Sequence, residues 1–580
     1  MVERRVATGT LRSVEYYMGR PENIVPILTS WIKGRRWSGL GGVEDLKIEV
    51  SDFLDFGGSS NHRILAAFIK ASGKRGCNVL LEELFLPLLL TREKGCYASY
   101  GEGMTQLSCC DGEIEIIEAE FTSEYNRKLF EAFQRRRKIK TSSGGSIRFE
   151  LRSDLSISGR INRVTTSALG KADTTNIVVK VDVGEEPPFV IKSYKIISEV
   201  NPEPEFLRVL AGVGFRYAPK LYGQIVYEAE SRAPSVISVL EAFEVNDGDG
   251  RTPFFDSLVA DLLEIGEKIA VFNLEKKEIE ELIQRKLSES NFIQGVSEHL
   301  GGIIAELHHA LAKCAYAGFE PDVITNEDAD RWARRAHSNL EYSFKVLPSI
   351  LEDQRLSPFE REVMKAFFDH AEKVKIEIED RLVQFTEMAG MMKTRTHQDL
   401  HLAQMLSRRT RRGFDFIITD FEGDPLRIGS ARREKESPLR DLGTMARSFE
   451  YIKYASLSEV LKNAPYPEAI ALVASKYGEK TCSDIRSKPS FEFDPEALSC
   501  LTEYAEKWNR LVEGFMVKGY LRKGRALGMS SLMKVDDESA REVIDFWKME
   551  KAILEIRYEL GHRPHNVLIP LEGLLAYTRE

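Results

Sequence analysis

The apolar pattern of the chain changes character once, near residue 256, and that change limits the fold more than any other feature. Before it, short apolar runs alternate with Gly and Asp punctuation, as in Leu46–Val50, Ile64–Ile69 and Ile114–Ile117. Such runs predict strands of an antiparallel layer. Ile177–Val183 and Phe189–Lys192 read as a hairpin-like pair across Gly184–Pro188, and Pro219–Gly223 and Val236–Glu241 as two further strands. Residues 257–385 then carry helical periodicity, with Leu262, Ile265, Ile269 and Phe272 on one stripe, and helical signals return in 495–520 and 537–560. Strands first and helices second describe an α+β chain in two lobes. A cleft between unlike lobes is a natural ligand site.

The bulk numbers exclude several classes. At about 100–200 residues per domain, 580 residues make three to five units. A net charge of −9 argues against a dedicated nucleic-acid binder. No stretch approaches the roughly 20 apolar residues of a membrane helix; Val79–Leu90 is broken by Glu82, Glu83 and Pro87 and reads as core structure. The opening MVERRVATGT lacks the apolar segment of a secretory signal. Seven cysteines, odd in number and without C-x-x-C spacing, exclude a disulfide framework or structural zinc site, so a reducing cytoplasm is expected. The basic run Arg135–Lys140 reads as a solvated helix end, and Thr141–Gly145 as a joint. The expected division is a cap at 1–140, a strand-rich intermediate unit at 141–248 and a helical unit at 249–580.

The chemistry concentrates between Met391 and Tyr451. His397-Gln398-Asp399-Leu400-His401-Leu402-Ala403-Gln404 has the spacing H-x-D-x-x-x-x-[N/Q]. The apolar run Phe414–Thr419 follows and leads into Asp420-Phe421-Glu422-Gly423. Phosphotransferases of the kinase type need these residues in this order: an Asp orients the acceptor hydroxyl and takes its proton, and an amide oxygen five residues on and a second Asp hold Mg²⁺. Asp399, Gln404 and Asp420 fill those places. Glu422 either holds a second metal-bound water or caps the turn. Taken singly, D-F-x-G is also a strand-to-turn junction, and His397 and His401 are also explained as core histidines.

The remaining parts are expected upstream. Lys192, at the end of Pro188-Phe-Val-Ile-Lys192, fits the strand lysine that reaches the α/β-phosphates of ATP; Lys180 is the alternative. Its partner is expected on the helix opened by Asn201-Pro-Glu-Pro-Glu205, with Glu205 preferred over Glu203 because Pro204 suits a first turn. Thr174, Thr175 and Asn176, in the segment Gly170–Asn176, offer hydroxyls and backbone N–H groups to phosphate oxygens, although the segment alone is a turn.

Together these stretches resemble the bacterial maltokinases, whose fold is like that of aminoglycoside phosphotransferases and eukaryotic-type kinases. Trp31-Ile-Lys-Gly-Arg35-Arg36-Trp37 is similar to the opening of that family's N-terminal cap. Asn201–Glu205, Asn246–Gly250 and Ala305-Glu306-Leu307-His308 resemble further family segments. Closer likenesses are His397–Gln404, Asp420–Pro425, Ser437-Pro-Leu-Arg440-Asp441 and the C-terminal helix from Glu550 through Glu559. The resemblance runs from near residue 30 to the C-terminus. It implies a bilobal protein-kinase-like fold, ATP and Mg²⁺, phosphorylation of maltose to maltose 1-phosphate, and a link to α-glucan and trehalose metabolism, with a partner sugar-converting enzyme such as trehalose synthase. Neither nucleic acid nor membrane is expected as a partner.

The same resemblance implies structural roles for Arg440 and Asp441, the latter bracing the backbone of the Asp399 loop. It places the acceptor sugar by Asp399, with His397, His401, Lys551, Glu555, Tyr558 and Glu559 as binding residues. Lys551, Glu555 and Tyr558 share a helix face, which reads equally as a solvated face with one half-buried tyrosine. Two departures stand out: Gln398 and Ala403 replace family glycines. Glycine serves where the backbone is strained or closely approached, so the pocket floor is expected to differ. Phe254–His299 and Asp322–Thr394 carry extra helical length. These departures leave phosphoryl transfer in place and the sugar open, with glucosamine or another sugar as the alternative acceptor; a kinase-like protein that binds nucleotide without transfer is the second alternative.

Overall fold

The alternating run Asn176–Val183 shows how the first half of the chain folds: Ile177, Val179, Val181 and Val183 are buried, and the residues between them are not. The computed structural model describes residues 21–578 except 36–37, 39, 41–42, 60, 76–77, 93–103, 110–111, 153–156, 158–160, 162, 170–175, 231, 273, 369, 384–387, 412, 462–494 and 530–536. It divides into two compact units.

The first unit takes in Met1–Ala211, Pro219–Glu244 and Arg427–Arg432. After α1 (Pro21–Lys33) come β1 (Glu44–Gly58), β2 (His62–Arg75), β3 (Asn78–Thr91), β4 (Met104–Cys109) and β5 (Gly112–Glu118), an antiparallel sheet in the order β1-β2-β3-β5-β4. The charged interruption in Val79–Leu90 is thus part of a strand, in which Leu84–Leu86 and Leu88–Leu90 are buried. Helix α2 (Ser123–Gln134) is capped by Thr122, whose hydroxyl accepts from Tyr125 N. A second antiparallel sheet follows: β6 (Lys138–Lys140), β7 (Ser146–Leu151), β8 (Val164–Ala168), β9 (Asn176–Val183), β10 (Phe189–Tyr194), then α3 (Glu203–Gly212), β11 (Leu221–Glu228) and β12 (Ser235–Ala242), in the order β6-β7-β11-β12-β10-β9-β8. Strand β10 lies inside this sheet, between β12 and β9.

The expected cap and intermediate segments share one core in this unit. Phe68 of β2 stacks on Tyr227 of β11 with ring centroids 3.8 Å apart, and the buried cluster runs from Leu28 to Leu240. Thr141–Gly145 is therefore not where the compact units part. Asp52 of β1 fastens it: its carboxylate accepts from Thr141 Oγ1 at 2.5 Å, Ser142 Oγ at 2.9 Å, Ser143 N at 2.8 Å and Tyr227 OH at 3.0 Å. Burial acts to raise the Asp52 pKa, but these donors outweigh it and hold the group below its ordinary value.

The second unit takes in Gly212–Ala218, Val245–Leu426 and Arg433–Glu580. Its elements are β13 (Gly248–Asp249), α4 (Thr252–Phe272), α5 (Lys276–Ser288), α6 (Asn291–Lys313), β14 (Asp322–Val323), α7 (Asn326–Val346), α8 (Pro358–Phe368), α9 (Ala371–Val383), β15 (Met392–Arg395), β16 (Met405–Thr410), β17 (Gly413–Ile418), β18 (Lys435–Glu436), α10 (Leu439–Val460), α11 (Pro495–Ala526), α12 (Asp537–His562) and α13 (Leu568–Leu575). The extra length at 254–299 and 322–394 is largely α4–α9. Helix α7 starts at a capping box in which Thr325 and Asp328 exchange backbone and side-chain bonds. Helix α10 is buried nearly all round, as a central helix must be. Helices α6 and α11 approach through Gly301 and Gly519, where a Cβ would overlap the Met516 and Glu298 carbonyls respectively. No described helix is long and apolar enough to cross a membrane.

Candidate active site

In the second unit the segment 396–401 runs from β15 into a short 3-10 turn, Leu402–Gln404, that leads into β16. Its backbone is pinned by Asp441, in the first turn of α10. Asp441 Oδ2 accepts from His397 N at 2.8 Å and Oδ1 from Gln398 N at 3.0 Å. His308 of α6 places Nε2 3.1 Å from the same carboxylate and Nδ1 3.0 Å from Tyr520 OH on α11. A carboxylate only accepts, so His308 Nε2 carries the proton. The glycine-mediated approach of α6 and α11 makes this chain of contacts possible.

Gln398 has φ +70°. The left-handed region costs a non-glycine residue roughly 1–2 kcal/mol, which accounts for glycine in the family motif. Here the side chain compensates: its amide nitrogen donates to Glu434 O at 3.3 Å and its oxygen accepts from Asp424 N at 3.5 Å. Gln398→Ala keeps the strain and loses both contacts, whereas Gln398→Gly loses the contacts and removes the strain. The glycine variant is expected to be the more stable of the two by about 1 kcal/mol, measured by chemical denaturation.

Asp399 is buried, with Oδ1 2.7 Å from Lys551 Nζ and Oδ2 3.6 Å from His401 Nε2. Burial by itself raises its pKa; Lys551 and then His401 reverse this and hold the carboxyl well below the usual carboxylate range. Beyond the 3-10 turn, Thr419 donates from N and Oγ1 to Gln404 O, at 2.9 and 3.1 Å, so the two expected metal-side segments adjoin through the backbone. Asp420 has φ +62°, a sharp turn at the end of β17. Asp420, Glu422 and Gln404 are half-buried.

Other expected residues behave differently. His397 is buried and donates Nε2–H to Thr419 O at 2.9 Å, with its ring beside Phe421. It ties the Asp399 loop to the Asp420 turn, which corrects its assignment to the acceptor. Glu555 is held by Arg447 Nε and Nη2 at 2.9 and 2.7 Å. Glu559, 1% exposed, is held by Tyr451 OH at 2.9 Å and by Arg563 at 2.6 and 2.9 Å. Its burial and these partners likewise correct its assignment to the sugar. Tyr558 stacks on His562, with centroids 4.5 Å apart. Lys551 is the residue of this helix that reaches Asp399. Arg440 is buried between Glu436 at 2.5 Å and Asp424 at 3.1 Å, tying the turn after Asp420 to the start of α10.

The first unit holds the nucleotide-side candidates. Lys192 is buried on β10, opposite Val178 and Val239. Its Nζ lies 2.7 Å from Glu203 Oε2, and Tyr194 OH donates to the same oxygen at 2.5 Å. The pairing expected for Glu205 thus falls on Glu203. Helix α3 begins at Glu203, whose N–H donates to Asn201 Oδ1 at 3.0 Å, so Pro204 is its second residue; two positions on, a residue is turned about 200° round the helix. The alternative lysine, Lys180, pairs with Asp182 at 3.1 Å. Asn176 opens β9 opposite Tyr194, and Thr174 and Thr175 lie outside the described residues. Sequence reasoning missed Tyr194, although period-two alternation places it on the same face as Lys192. It also missed the His308–Asp441 contact, whose one signal is the Ala305–His308 segment.

No family model matches the chain. A curated glucosamine kinase from Mycolicibacterium smegmatis is 22% identical over 380 residues, 66% of this chain and 72% of that protein. A solved structure of glucosamine kinase in complex with glucosamine, ADP and inorganic phosphate aligns with a TM-score of 0.51 at 16% identity, over 94% of this chain and 98% of that one. A second crystal form of glucosamine kinase aligns with a TM-score of 0.52 at 16% identity, over 93% and 95%. The maltokinase resemblance read from the motifs becomes, in these comparisons, a likeness to glucosamine kinase. The fold is the α+β kinase-like one.

Proposed function

We propose that this chain is an ATP-dependent kinase that phosphorylates a sugar hydroxyl. One observation carries the reading: a buried, ionised Asp399 sits on a loop whose backbone is fixed by Asp441, with the Gln404 and Asp420 segments bonded to one another after it. In the proposed reaction Asp399 accepts a hydrogen bond from the acceptor hydroxyl and takes its proton as the oxygen bonds to the γ-phosphorus and ADP leaves. Lys192, oriented by Glu203 and Tyr194, pairs with the α/β-phosphates, with Thr174, Thr175 and Asn176 offering further donors. Gln404, Asp420 and Glu422 are hard oxygen donors of the kind Mg²⁺ prefers and would hold it. When bound, the ion neutralises phosphate charge. Positioning and charge compensation do most of the work.

Maltose is the acceptor suggested by the motifs, and glucosamine the one suggested by the similar proteins. Incubation with Mg·ATP and a sugar panel, followed by ³¹P NMR, reports both acceptor and position. ADP release that no sugar stimulates sinks the proposal. Within it, Glu203→Gln is expected to raise the KM for ATP about tenfold, because a charge-assisted bond to a buried lysine is weakened. Steady-state kinetics with varied ATP checks this.

A further inference from the structure

We infer that the acceptor side of this site takes a sugar with no positive charge beside the reacting hydroxyl, and that Lys551 sets this preference. The inference rests on the sugar-kinase reading above and names the substrate class within it. Three carboxylates here have the chemistry to hold a substrate ammonium: Asp399, Glu555 and Glu559. Each already holds a cation. Lys551 is 2.7 Å from Asp399, Arg447 is 2.7 Å from Glu555, and Arg563 is 2.6 Å from Glu559. The neighbouring acids are committed too, Asp424 to Arg440 at 3.1 Å and Glu450 to Lys548 at 2.9 Å.

The arrangement is a ladder between helices α10 and α12. Arg447 and Tyr451, four residues apart on one helix, meet Glu555 and Glu559, four apart on the other. Lys551, one turn before Glu555, continues the row to Asp399. A substrate ammonium entering here meets Lys551 within about 5 Å, while the pull of Asp399 is already cancelled by the same lysine. With no net attraction left from that pair, the hydration lost by an entering ammonium is not replaced, which disfavours its binding by about tenfold or more. A sugar hydroxyl makes no such conflict. It donates to Asp399 and accepts from Lys551, whose ammonium has three donors. Lys551 also remains charged over the useful pH range: burial lowers its pKa, but Asp399, Asp424 and Glu555 outweigh burial and raise it, with His401 the remaining titratable group against Asp399.

The test compares maltose, glucose and glucosamine as acceptors for the full-length chain at pH 6.5 and pH 9. The glucosamine amine, with a pKa of about 8 like other α-substituted amines, is charged at the first pH and mostly neutral at the second. The expected result is a kcat/KM for the better neutral sugar at least about tenfold above that for glucosamine at pH 6.5. The gap narrows severalfold at pH 9, and in Lys551→Met it narrows at pH 6.5. Glucosamine preferred at pH 6.5 overturns the inference and leaves the sugar-kinase reading standing; turnover of no sugar removes both. A gap insensitive to pH and to Lys551→Met overturns the role of Lys551. The wild-type pH comparison decides the matter even if the variant does not fold.

Discussion

Asp399→Asn is expected to lower kcat by about a thousandfold, within the range for loss of a positioned base, while ATP binding stays close to wild type. Direct titration of nucleotide beside single-turnover transfer checks both parts, and a variant with full turnover removes Asp399 from the reaction. Stability is affected as well. The carboxylate faces buried Lys551 at 2.7 Å, and neutralising it leaves that lysine without its counter-charge, a situation that costs about 3–5 kcal/mol in buried pairs. Asp399→Asn with Lys551→Met is therefore expected to recover stability without recovering turnover. The pH dependence has a definite sign. The folded carboxyl lies well below its unfolded value of about 3.9. Its contribution is present above about pH 4 and is lost as pH falls through the lower folded value. The stability gap between wild type and Asp399→Asn should thus stay constant through neutral pH and close only in acid, and Asp399 should give no acid limb to kcat between pH 5 and 8.

The sequence made some of this legible because period and spacing are local. The alternation at Ile177–Val183 specifies a half-buried strand by itself, and the 397–420 spacing follows from one loop, one hairpin and one turn. Side-chain partners were less legible, because they depend on which residue begins a helix and on what packs behind it. Glu203 and Glu205 differ only in where α3 starts, a matter of one or two residues that sequence signals rarely resolve. Glu559 reads as a sugar-binding residue beside a tyrosine, yet α10 brings Tyr451 against it across more than a hundred residues of chain. The left-handed backbone at Gln398 is the opposite case. The family glycine marked the position as special, and the non-glycine residue there turned out to be held by two backbone groups that no motif names.

A stability effect of similar size is expected at Asp441. Asp441→Ala removes the acceptor for three buried donors, His397 N, Gln398 N and His308 Nε2. Each orphaned donor costs about 1–3 kcal/mol, so a loss of about 4 kcal/mol is expected after local relaxation. Asp441→Asn keeps one oxygen but turns an NH₂ toward donors that bind the other, because His397 N and Gln398 N approach separate oxygens; it should lie between alanine and wild type. Tyr520→Phe, which leaves Asp441 intact and removes only the hydroxyl at His308 Nδ1, should cost about 1 kcal/mol. Kinetics should follow the same order through kcat, since a displacement of about 1 Å at the base is worth about a hundredfold. The KM for ATP should change less than kcat, because Lys192 and Glu203 lie on β10 and α3 and not on the loop that Asp441 holds. If Asp441→Ala instead raises the KM for ATP and spares kcat, Asp441 is not what positions Asp399.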